Sequence, residues 1–353
     1  KTAPISNTPT KYRMLRTSDI RDGFINLENL NCVTEKTYNK WTRRGFLQKG
    51  DIILTREAPL GEVGLVRYAE NFFLGQRLVL LRANPSVCDN RFLLYALQFH
   101  DNKQAIIAKG VGATVLHLRV PECEKIEIRV PDLQTQRKIG NILSAYDNLI
   151  ENNQKQIRLL EEAAQRLHKE WFVDLRFPGH ETTPVVDGVP EGWTRKQLID
   201  VATVQYGYAF DGSLFNSIGN GMPIVRIRNI PSGNTGDYTT ESADIQYIIH
   251  NGDILVGMDG EFHINSWSGQ DAYLVQRVCR IKPINVGIAG YLLQAIYEPI
   301  KYFEKTVVGA TVAHLGKKHI DTITLLIGPN KLYIPFQQYF DKRQLLLNQN
   351  RLL

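Results

Sequence analysis

The sequence predicts an α+β protein in which two tandem mixed α/β domains are separated by long α-helices. Two observations support this fold class: an internal repeat, and a helical stretch between its two copies. Four blocks recur in the same order, namely residues 15–23 as 225–233, 50–54 as 252–256, 76–77 as 276–277, and 111–118 as 308–315. A chain of 353 residues is long enough to bury two such cores.

The repeat and the helical stretch divide the chain into five segments. We predict a first domain (residues 1–131), a long central helix (132–178), a linker (179–189), a second domain (190–334) and the start of a second long helix (335–353). Short β-branched runs between Gly, Asn, Asp and Pro predict strands, most clearly at 223–227, 253–256 and 273–281. Apolar residues at helical spacing predict short helices at 91–100 and 289–301.

The central helix is predicted from an apolar stripe of unusual length. Between residue 132 and about Phe172, Gly140 is the sole glycine and there is no proline, while apolar residues recur at steps of three and four. This pattern indicates one amphipathic helix of roughly 60 Å. Asn153 interrupts the stripe, and a polar residue at such a position commonly fixes the register of a coiled coil. Residues 335–353 resemble the start of this helix, and we expect both ends of the chain to be incomplete.

Charge and composition narrow the class of protein. The net charge is +6, with 20 Lys and Arg against 13 Asp and Glu in residues 1–131, but 12 against 15 in residues 181–334. The first half therefore favours a polyanionic partner, whereas the second could bind phosphate only through a local patch; the alternative is an ordinary charged surface. No long apolar run or signal peptide occurs, which predicts a cytoplasmic protein without membrane contact. The four cysteines have no metal-binding or disulfide spacing.

Several motifs repeat along this plan. They are Gly50-Asp51-Ile52 with Gly252-Asp253-Ile254, a Gly-x-Thr-x-x-His-Leu block (Gly112, Thr114, His117, Leu118; Gly309, Thr311, His314, Leu315), Pro131-Asp132-Leu133 with Gln136, and Pro190-Glu191-Gly192-Trp193. In this order they resemble the specificity subunit of Type I restriction–modification enzymes, over nearly the whole chain. The junction at residues 329–335 is longer than its counterpart in the first copy and departs from the pattern.

The resemblance implies a function and a set of partners. Specificity subunits carry two target-recognition domains, and their long helices form an antiparallel coiled coil. It implies a non-catalytic subunit that reads a bipartite double-stranded DNA target and docks two methyltransferase subunits and restriction (motor-nuclease) subunits. Those partners would carry S-adenosylmethionine, ATP and Mg²⁺, and this chain would hold no cofactor.

Candidate base-reading residues lie on loops whose chemistry differs between the copies. Base edges are read by Arg, Asn, Gln, Asp and Glu at a groove. The first copy offers Lys40, Arg43 and Arg44 beside Trp41, then Arg56 and Glu57; the loop at residues 258–267 of the second offers Asp259, Glu261, His263 and Asn265. Different loops on one scaffold predict two different half-sites. The alternative is a solvated hairpin in each copy.

Repeated residues suit sequence-independent contacts better. Arg77 recurs as Arg277, and Arg16 as Arg226, which suggests either phosphate contacts or structural hydrogen bonds. The lysines flanking the Gly-x-Thr block are predicted phosphate binders: Lys109, Lys305, Lys317 and Lys318. For His117 and His314 we predict a buried or capping role over a catalytic one, because no paired nucleophile or carboxylate recurs beside both.

Catalytic and metal-binding patterns are lacking in the sequence. It contains no P-loop, no dinucleotide motif and no ligand spacing typical of a metal site. We therefore predict no catalytic residue and no metal. Two alternatives remain: the recognition half of a fused Type II-like methyltransferase–nuclease, and a coiled-coil adaptor that binds protein. A salt titration of DNA binding distinguishes the adaptor from a DNA-recognition subunit, because phosphate contacts weaken steeply with salt.

Overall fold

The computed structural model describes residues 2–69, 71–306 and 313–353, which fall into two compact units. Unit 1 spans residues 1–148 and unit 2 spans residues 149–353. Unit 1 contains strands Arg13–Leu15, Ile20–Arg21, Phe24–Ile25, Asn31–Cys32, Ile52–Arg56, Leu60–Leu65, Phe72–Leu74 and Leu78–Leu81, and helices Glu35–Trp41, Asn90–Gln98, His100–Ala108 and Val120–Cys123. Both strands and helices are short, which is typical of an α+β domain.

Unit 2 has the same kind of content with more strands. Its strands are Val185–Val186, Val189–Pro190, Thr194–Gln197, Ala202–Tyr206, Phe215–Asn216, Met222–Val225, Tyr238–Thr239, Ile248–Ile249, Ile254–Gly257, Ile264–Ser266, Ala272–Leu274, Val278–Pro283 and Thr324–Ile327. Its short helices are Leu198–Val201, Ala289–Ala295, Tyr297–Thr306 and Lys317–Asp321. The predicted linker contains a small hairpin, in which Asp187 and Gly188 adopt positive φ between the first two of these strands.

The predicted repeat is confirmed by strand pairings that the two units share. In unit 1, Arg13–Leu15 runs parallel to Phe72–Leu74, and in unit 2, Met222–Val225 runs parallel to Ala272–Leu274. A central strand lies between two antiparallel neighbours in each unit, Ile52–Arg56 in the first and Ile254–Gly257 in the second. These central strands are buried on both faces, which explains why they read as unbroken apolar runs.

The repeated Gly-Asp pair forms the turn that precedes each central strand. Gly50 and Gly252 adopt φ of 96° and 90°, which glycine alone reaches without steric cost. The carboxylate of Asp51 accepts the main-chain N–H of residue 48 at 2.7 Å, and that of Asp253 accepts the N–H of residue 250 at 2.8 Å. Each aspartate is buried and pairs with an arginine, Arg82 in unit 1 and Arg280 in unit 2. The motif is therefore structural.

The central helix, Leu133–His168, is continuous over 36 residues, or about 54 Å. The carboxylate of Asp132 caps its start by accepting the N–H of Thr135 at 3.0 Å. A five-residue π-helical turn, Lys169–Val173, follows directly and carries Phe172 into the core of unit 2. The apolar stripe thus predicts the helix well, and the widened turn at its end is a feature that spacing alone does not indicate.

Within unit 2, the C-terminal helix, Ile334–Leu352, packs antiparallel to the second half of the central helix. Asn153 donates to Asn350 at 2.8 Å. About two turns further along the central helix, Glu161 accepts from Arg343 at 2.6 Å. Asn153 is 2% exposed, so the polar interruption seen in the sequence lies inside the helix pair. The predicted antiparallel helix pairing is present here.

Three predicted elements have different bounds in the structure. The single strand predicted at 273–281 is wrong, because Arg277 adopts φ of 72° and turns the chain between Ala272–Leu274 and Val278–Pro283. The helices predicted at 91–100 and 289–301 are each two helices, broken at Phe99 and Ile296. Phe99 is extended, with ψ of 133°, which interrupts the helical hydrogen bonds.

Candidate nucleic-acid interface

Three charged or polar side chains from separate segments of unit 2 meet beyond the end of its central strand. Asp259 follows the central strand Ile254–Gly257, Arg277 occupies the turn between two strands, and His314 precedes the short helix Lys317–Asp321. The Asp259 carboxylate lies 2.6 Å from His314 Nδ1 and 3.3 Å from Arg277 Nε. Their side chains are 31%, 46% and 54% exposed, respectively, so a ligand in solution can reach all three. We call these residues the charged trio of unit 2.

Main-chain hydrogen bonds hold the trio in place. The N–H of Met258 donates to the carbonyl of Arg277 at 2.8 Å, and the N–H of Leu315 donates to the carbonyl of Met258 at 2.8 Å. Asp259 and His314 face each other across an isolated antiparallel bridge. The backbone of all three segments is thus fixed by bonds that do not depend on the charged side chains.

Unit 1 places Glu57, Arg77 and His117 in the equivalent positions. The N–H of Arg56 donates to the carbonyl of Arg77 and the N–H of Leu118 donates to the carbonyl of Arg56, both at 2.8 Å. Glu57 forms an ion pair with Arg77 and an antiparallel main-chain bridge with His117. This set is the charged trio of unit 1, and the two trios share residue class and backbone frame.

The predicted buried role is wrong for one of the two histidines. His314 is 46% exposed and its Nδ1 lies 2.6 Å from the Asp259 carboxylate, whereas His117 is bridged to Glu57 through the main chain. The two acids differ, Glu57 in one copy and Asp259 in the other, and lie far from the histidines in sequence, which hides the repeat. A signal was present: each acid follows the aspartate of its Gly-Asp turn by six residues.

The predicted phosphate-binding lysines lie near the trios in sequence. Lys305 is exposed in the last turn of helix Tyr297–Thr306, and Lys317 and Lys318 are exposed at the start of the helix that follows His314. Lys109 is half-buried at the end of helix His100–Ala108. Gly309 and Thr311 of the second Gly-x-Thr block lie outside the described residues.

The predicted base-reading cations of unit 1 lie on a different segment. Lys40 is exposed in the last turn of helix Glu35–Trp41, and Arg43 and Arg44 are exposed in the residues that follow it. Trp41 anchors this segment by packing on Phe73, with ring centroids 6.1 Å apart. The structure thus presents these cations to solvent from an anchored helix end.

Two predicted base readers are already bonded within their domains. Arg56 Nη1 donates to the carbonyl of Leu118 at 2.9 Å. The amide of Asn265 donates to the carbonyls of Ile230 and Pro231 and accepts from Arg343 at 2.7 Å. Both side chains are committed to hydrogen bonds of the fold, so Arg56 and Asn265 are not available to read bases.

The rest of the predicted unit 2 loop is divided between core and surface. Phe262 and Trp267 are fully buried, so the loop is not a solvated hairpin. Glu261 is 67% exposed, and His263, 26% exposed, lies 3.6 Å from its carboxylate. Together with Asp259 these are the predicted unit 2 readers that face solvent.

The repeated Arg16 and Arg226 occupy equivalent backbone positions with different partners. The N–H of Arg16 donates to Asp19 at 2.7 Å and that of Arg226 donates to Asn229 at 2.9 Å. The Arg16 guanidinium also pairs with Asp19 at 2.8 Å, whereas that of Arg226 stacks over the Phe215 ring. The structural interpretation of these two arginines is supported.

Across residues 2–69, 71–306 and 313–353, no group of three His, Cys, Asp or Glu side chains could hold a metal ion. Within the same residues, no helix is long and apolar enough to span a bilayer.

Comparison with known proteins places the chain in a family. It matches the family described as "Type I restriction modification DNA specificity domain" twice, over residues 6–162 and 190–349. Because these two segments make up most of the sequence, the chain belongs to this family. Each segment contains one charged trio, and the family resemblance noted from the repeated motifs is confirmed.

Individual relatives agree with this assignment over nearly the full chain. The chain is 24% identical over 339 residues to the Type I restriction enzyme MjaIX specificity subunit of Methanocaldococcus jannaschii, covering 91% of this chain and 77% of that protein. It is 26% identical over 343 residues to the MjaVIII specificity subunit of the same organism, covering 92% and 72%. The crystal structure of a Type I restriction–modification S subunit from M. genitalium superposes with a TM-score of 0.56 at 17% identity, covering 97% and 88%, and shows the same fold.

Proposed function

We propose that this chain is the non-catalytic DNA-recognition subunit of a Type I restriction–modification complex and that each unit reads one half of a bipartite duplex target. One observation carries the proposal: the DNA specificity family matches two separate segments, and each segment presents a charged trio beside a loop of different chemistry. The main-chain frame that both units share suits contacts to the DNA backbone, which is the same at every site. The loops that differ between the units suit contacts to different bases.

The proposed base readers lie on the segments whose chemistry differs between the units. In unit 1 they are Lys40, Arg43 and Arg44, which are exposed, and in unit 2 they are the exposed Glu261 and the half-buried His263. Glu57 and Asp259 are paired with arginines and are not counted among them. Phosphate contacts from Lys109, Lys305, Lys317 and Lys318 would position the duplex without selecting bases.

We propose that the central helix sets the distance between the two half-sites. Its length of about 54 Å exceeds the 34–36 Å that separates successive DNA sites one helical turn apart. A continuous helix resists bending far better than a flexible linker of the same length would. Deleting seven residues inside Leu133–His168 should change the spacer between half-sites and leave both half-sites unchanged.

The chemistry would come from partners. Two methyltransferase subunits would bring S-adenosylmethionine, and restriction (motor-nuclease) subunits would bring ATP and Mg²⁺, while this chain would hold no cofactor. The long helices are the proposed docking surface for the methyltransferase subunits, because they belong to neither reading loop.

Methylome sequencing of a host with and without this gene tests the proposal. We expect methylated adenine at one two-part motif, present with the gene and absent without it. A continuous motif, or no motif, would contradict the recognition role. Binding of the purified complex to duplex DNA should also weaken steeply with salt, whereas binding by a protein adaptor would not involve DNA at all.

A further inference from the structure

We infer that Arg77 and Arg277 are the contact points for DNA backbone phosphates, and that the carboxylate of each charged trio holds the arginine in place until a phosphate competes for it. The inference rests on the proposed function and deepens it: it assigns a ligand class, the phosphodiester group, to two specific side chains. Neither the fold nor the family match assigns it.

The backbone conformation of these two arginines indicates a functional role for their side chains. Arg77 and Arg277 adopt φ of 67° and 72°, the left-handed region, which is sterically unfavourable for a residue with a Cβ but not for glycine. Glycine or asparagine would suit either turn better. Both copies nevertheless keep arginine there, while the acid of the trio differs between them. The strained backbone is thus tolerated for the guanidinium, which matches how strained residues cluster at functional sites.

Stability of the fold does not explain the two arginines. Their side chains are 51% and 54% exposed, and exposed ion pairs contribute little to folding. The turn itself is held by the main-chain N–H groups of residues 56 and 258, which donate to the carbonyls of Arg77 and Arg277. The carbonyl of any other residue at these positions could accept the same hydrogen bonds. Removing the guanidinium should therefore leave the domain folded.

The geometry of the trio suits a phosphate. A guanidinium binds a phosphate or a carboxylate through the same planar donors, so the Asp259 carboxylate occupies the type of position that a phosphate oxygen would take. His314 Nδ1 lies 3.3 Å from Arg277 Nη1, which places a second nitrogen group beside the first. The acid orients the guanidinium in the free protein, and this preorganisation lowers the entropic cost of binding.

A phosphate explains the repeat better than a base does. Residues that specify two different half-sites have to differ between the copies, as the loop residues do. Arg77 and Arg277 are the same residue on the same backbone frame, which suits the invariant part of the duplex.

The test uses the full chain assembled with its methyltransferase subunits and carrying Arg77→Gly or Arg277→Gly. We expect binding to target and non-target duplexes to weaken equally, by about tenfold, with the salt slope of log K reduced by about one. The thermal unfolding midpoint should not fall, because glycine relieves the left-handed turn. Arg277→Asn provides a second variant for the same readouts, since asparagine also tolerates positive φ.

The matched control is Arg195→Gln, which removes one exposed positive charge from strand Thr194–Gln197. It should not change the salt slope. Unchanged affinity and slope in both glycine variants would overturn the inference, and so would a loss confined to the target sequence, which indicates base reading. Failure of the proposed function looks different: the unaltered complex would then show no preference for a two-part target.

Replacing the carboxylate separates the orienting role from base reading. If a phosphate competes with Asp259, then Asp259→Asn should strengthen binding to all duplexes about threefold, because a negative charge leaves the interface while the amide oxygen still accepts from the guanidinium and orients it. If Asp259 reads a base instead, the same variant should weaken binding to the target alone, and that result would overturn the competition. Glu57→Gln tests unit 1 in the same way.

Discussion

Units 1 and 2 share a hydrogen-bonded main-chain frame but differ in the loops that this frame carries. The frame consists of the Gly-Asp turn, the doubly buried central strand and the left-handed arginine turn, with bond lengths of 2.8 Å at matching positions. The attachments are the loops after the central strands: three residues, Glu57 to Pro59, connect to the next strand in unit 1, whereas unit 2 uses residues 258–263. The comparison separates residues that make the fold from residues free to encode a target.

The largest effect should come from exchanging a loop. We expect replacement of residues 259–261 by the equivalent loop of another family member to abolish methylation at the original half-site by at least about a hundredfold, because each lost base contact costs ~1–3 kcal/mol. The other half-site should stay unchanged in a methylome. Residues 262 and 264–267 should be retained, since they are buried or bonded to the fold. A change in both half-sites would break the separation of the units.

The next largest effect should come from a buried polar network beneath the unit 2 loop. Arg343 is buried and donates to Glu161 at 2.6 Å, to Ser266 at 2.6 Å and to Asn265 at 2.7 Å. Arg343→Leu should lower the free energy of unfolding of unit 2 by about 3 kcal/mol, measured by urea denaturation. The control Arg195→Leu, on an exposed strand, should change it little. An equal loss of unfolding free energy in both variants would show that the buried network around Arg343 does not stabilise unit 2.

Unit 2 should also be the acid-sensitive half of the chain. Burial against the rings of Phe172 and Tyr291 lowers the pKa of His168 to about 4. The unfolded chain binds this proton near pH 6.5, so the stabilisation is complete above pH 6.5 and is lost as pH falls toward 4. Between pH 7 and 5, unit 2 should lose about 2 kcal/mol more than a His168→Leu variant loses. Parallel pH profiles for the two proteins would contradict this.

The smallest effect should come from the buried asparagine of the helix pair. Asn153 donates to Asn350 at 2.8 Å and to Gln349 at 3.4 Å. Asn153→Leu should change stability by less than about 1 kcal/mol, because the apolar side chain offsets the lost hydrogen bonds. Distances measured between spin labels on the two helices should broaden as the register loosens. A single narrow distance in the variant would show that Asn153 does not fix the register.

The sequence predicts the long-range plan of this chain and misses its local breaks. The repeated blocks and the apolar stripe are periodic signals carried by many residues, so the two domains and the central helix follow from them. The break at Arg277 is set by a single backbone dihedral, and propensity favours a strand through that position. The break at Phe99 is similar, because nothing in the spacing of apolar residues marks an extended ψ.

The candidate site is predicted in part. The exposure of cations such as Lys317 and Arg43 can be predicted from their residue type and position in the sequence. The hydrogen-bond partners of Asn265 cannot be predicted in this way. Its amide bonds to Arg343, 78 residues further along the chain, and such a contact depends on how the C-terminal helix packs. The trios were hidden for the same reason, since each brings together three distant segments.

The π-helical turn at Lys169–Val173 determines where the central helix tolerates changes in length. The N–H of Asp174 donates to the carbonyl of Lys169, five residues earlier, and this wider turn fixes the azimuth at which Phe172 enters its aromatic pocket. Removing a whole heptad upstream of His168 rotates the following residues by only ~20°. Removing five residues rotates them by about 140° relative to the residues before the deletion. Spacers of new length are therefore best engineered in heptads before that turn.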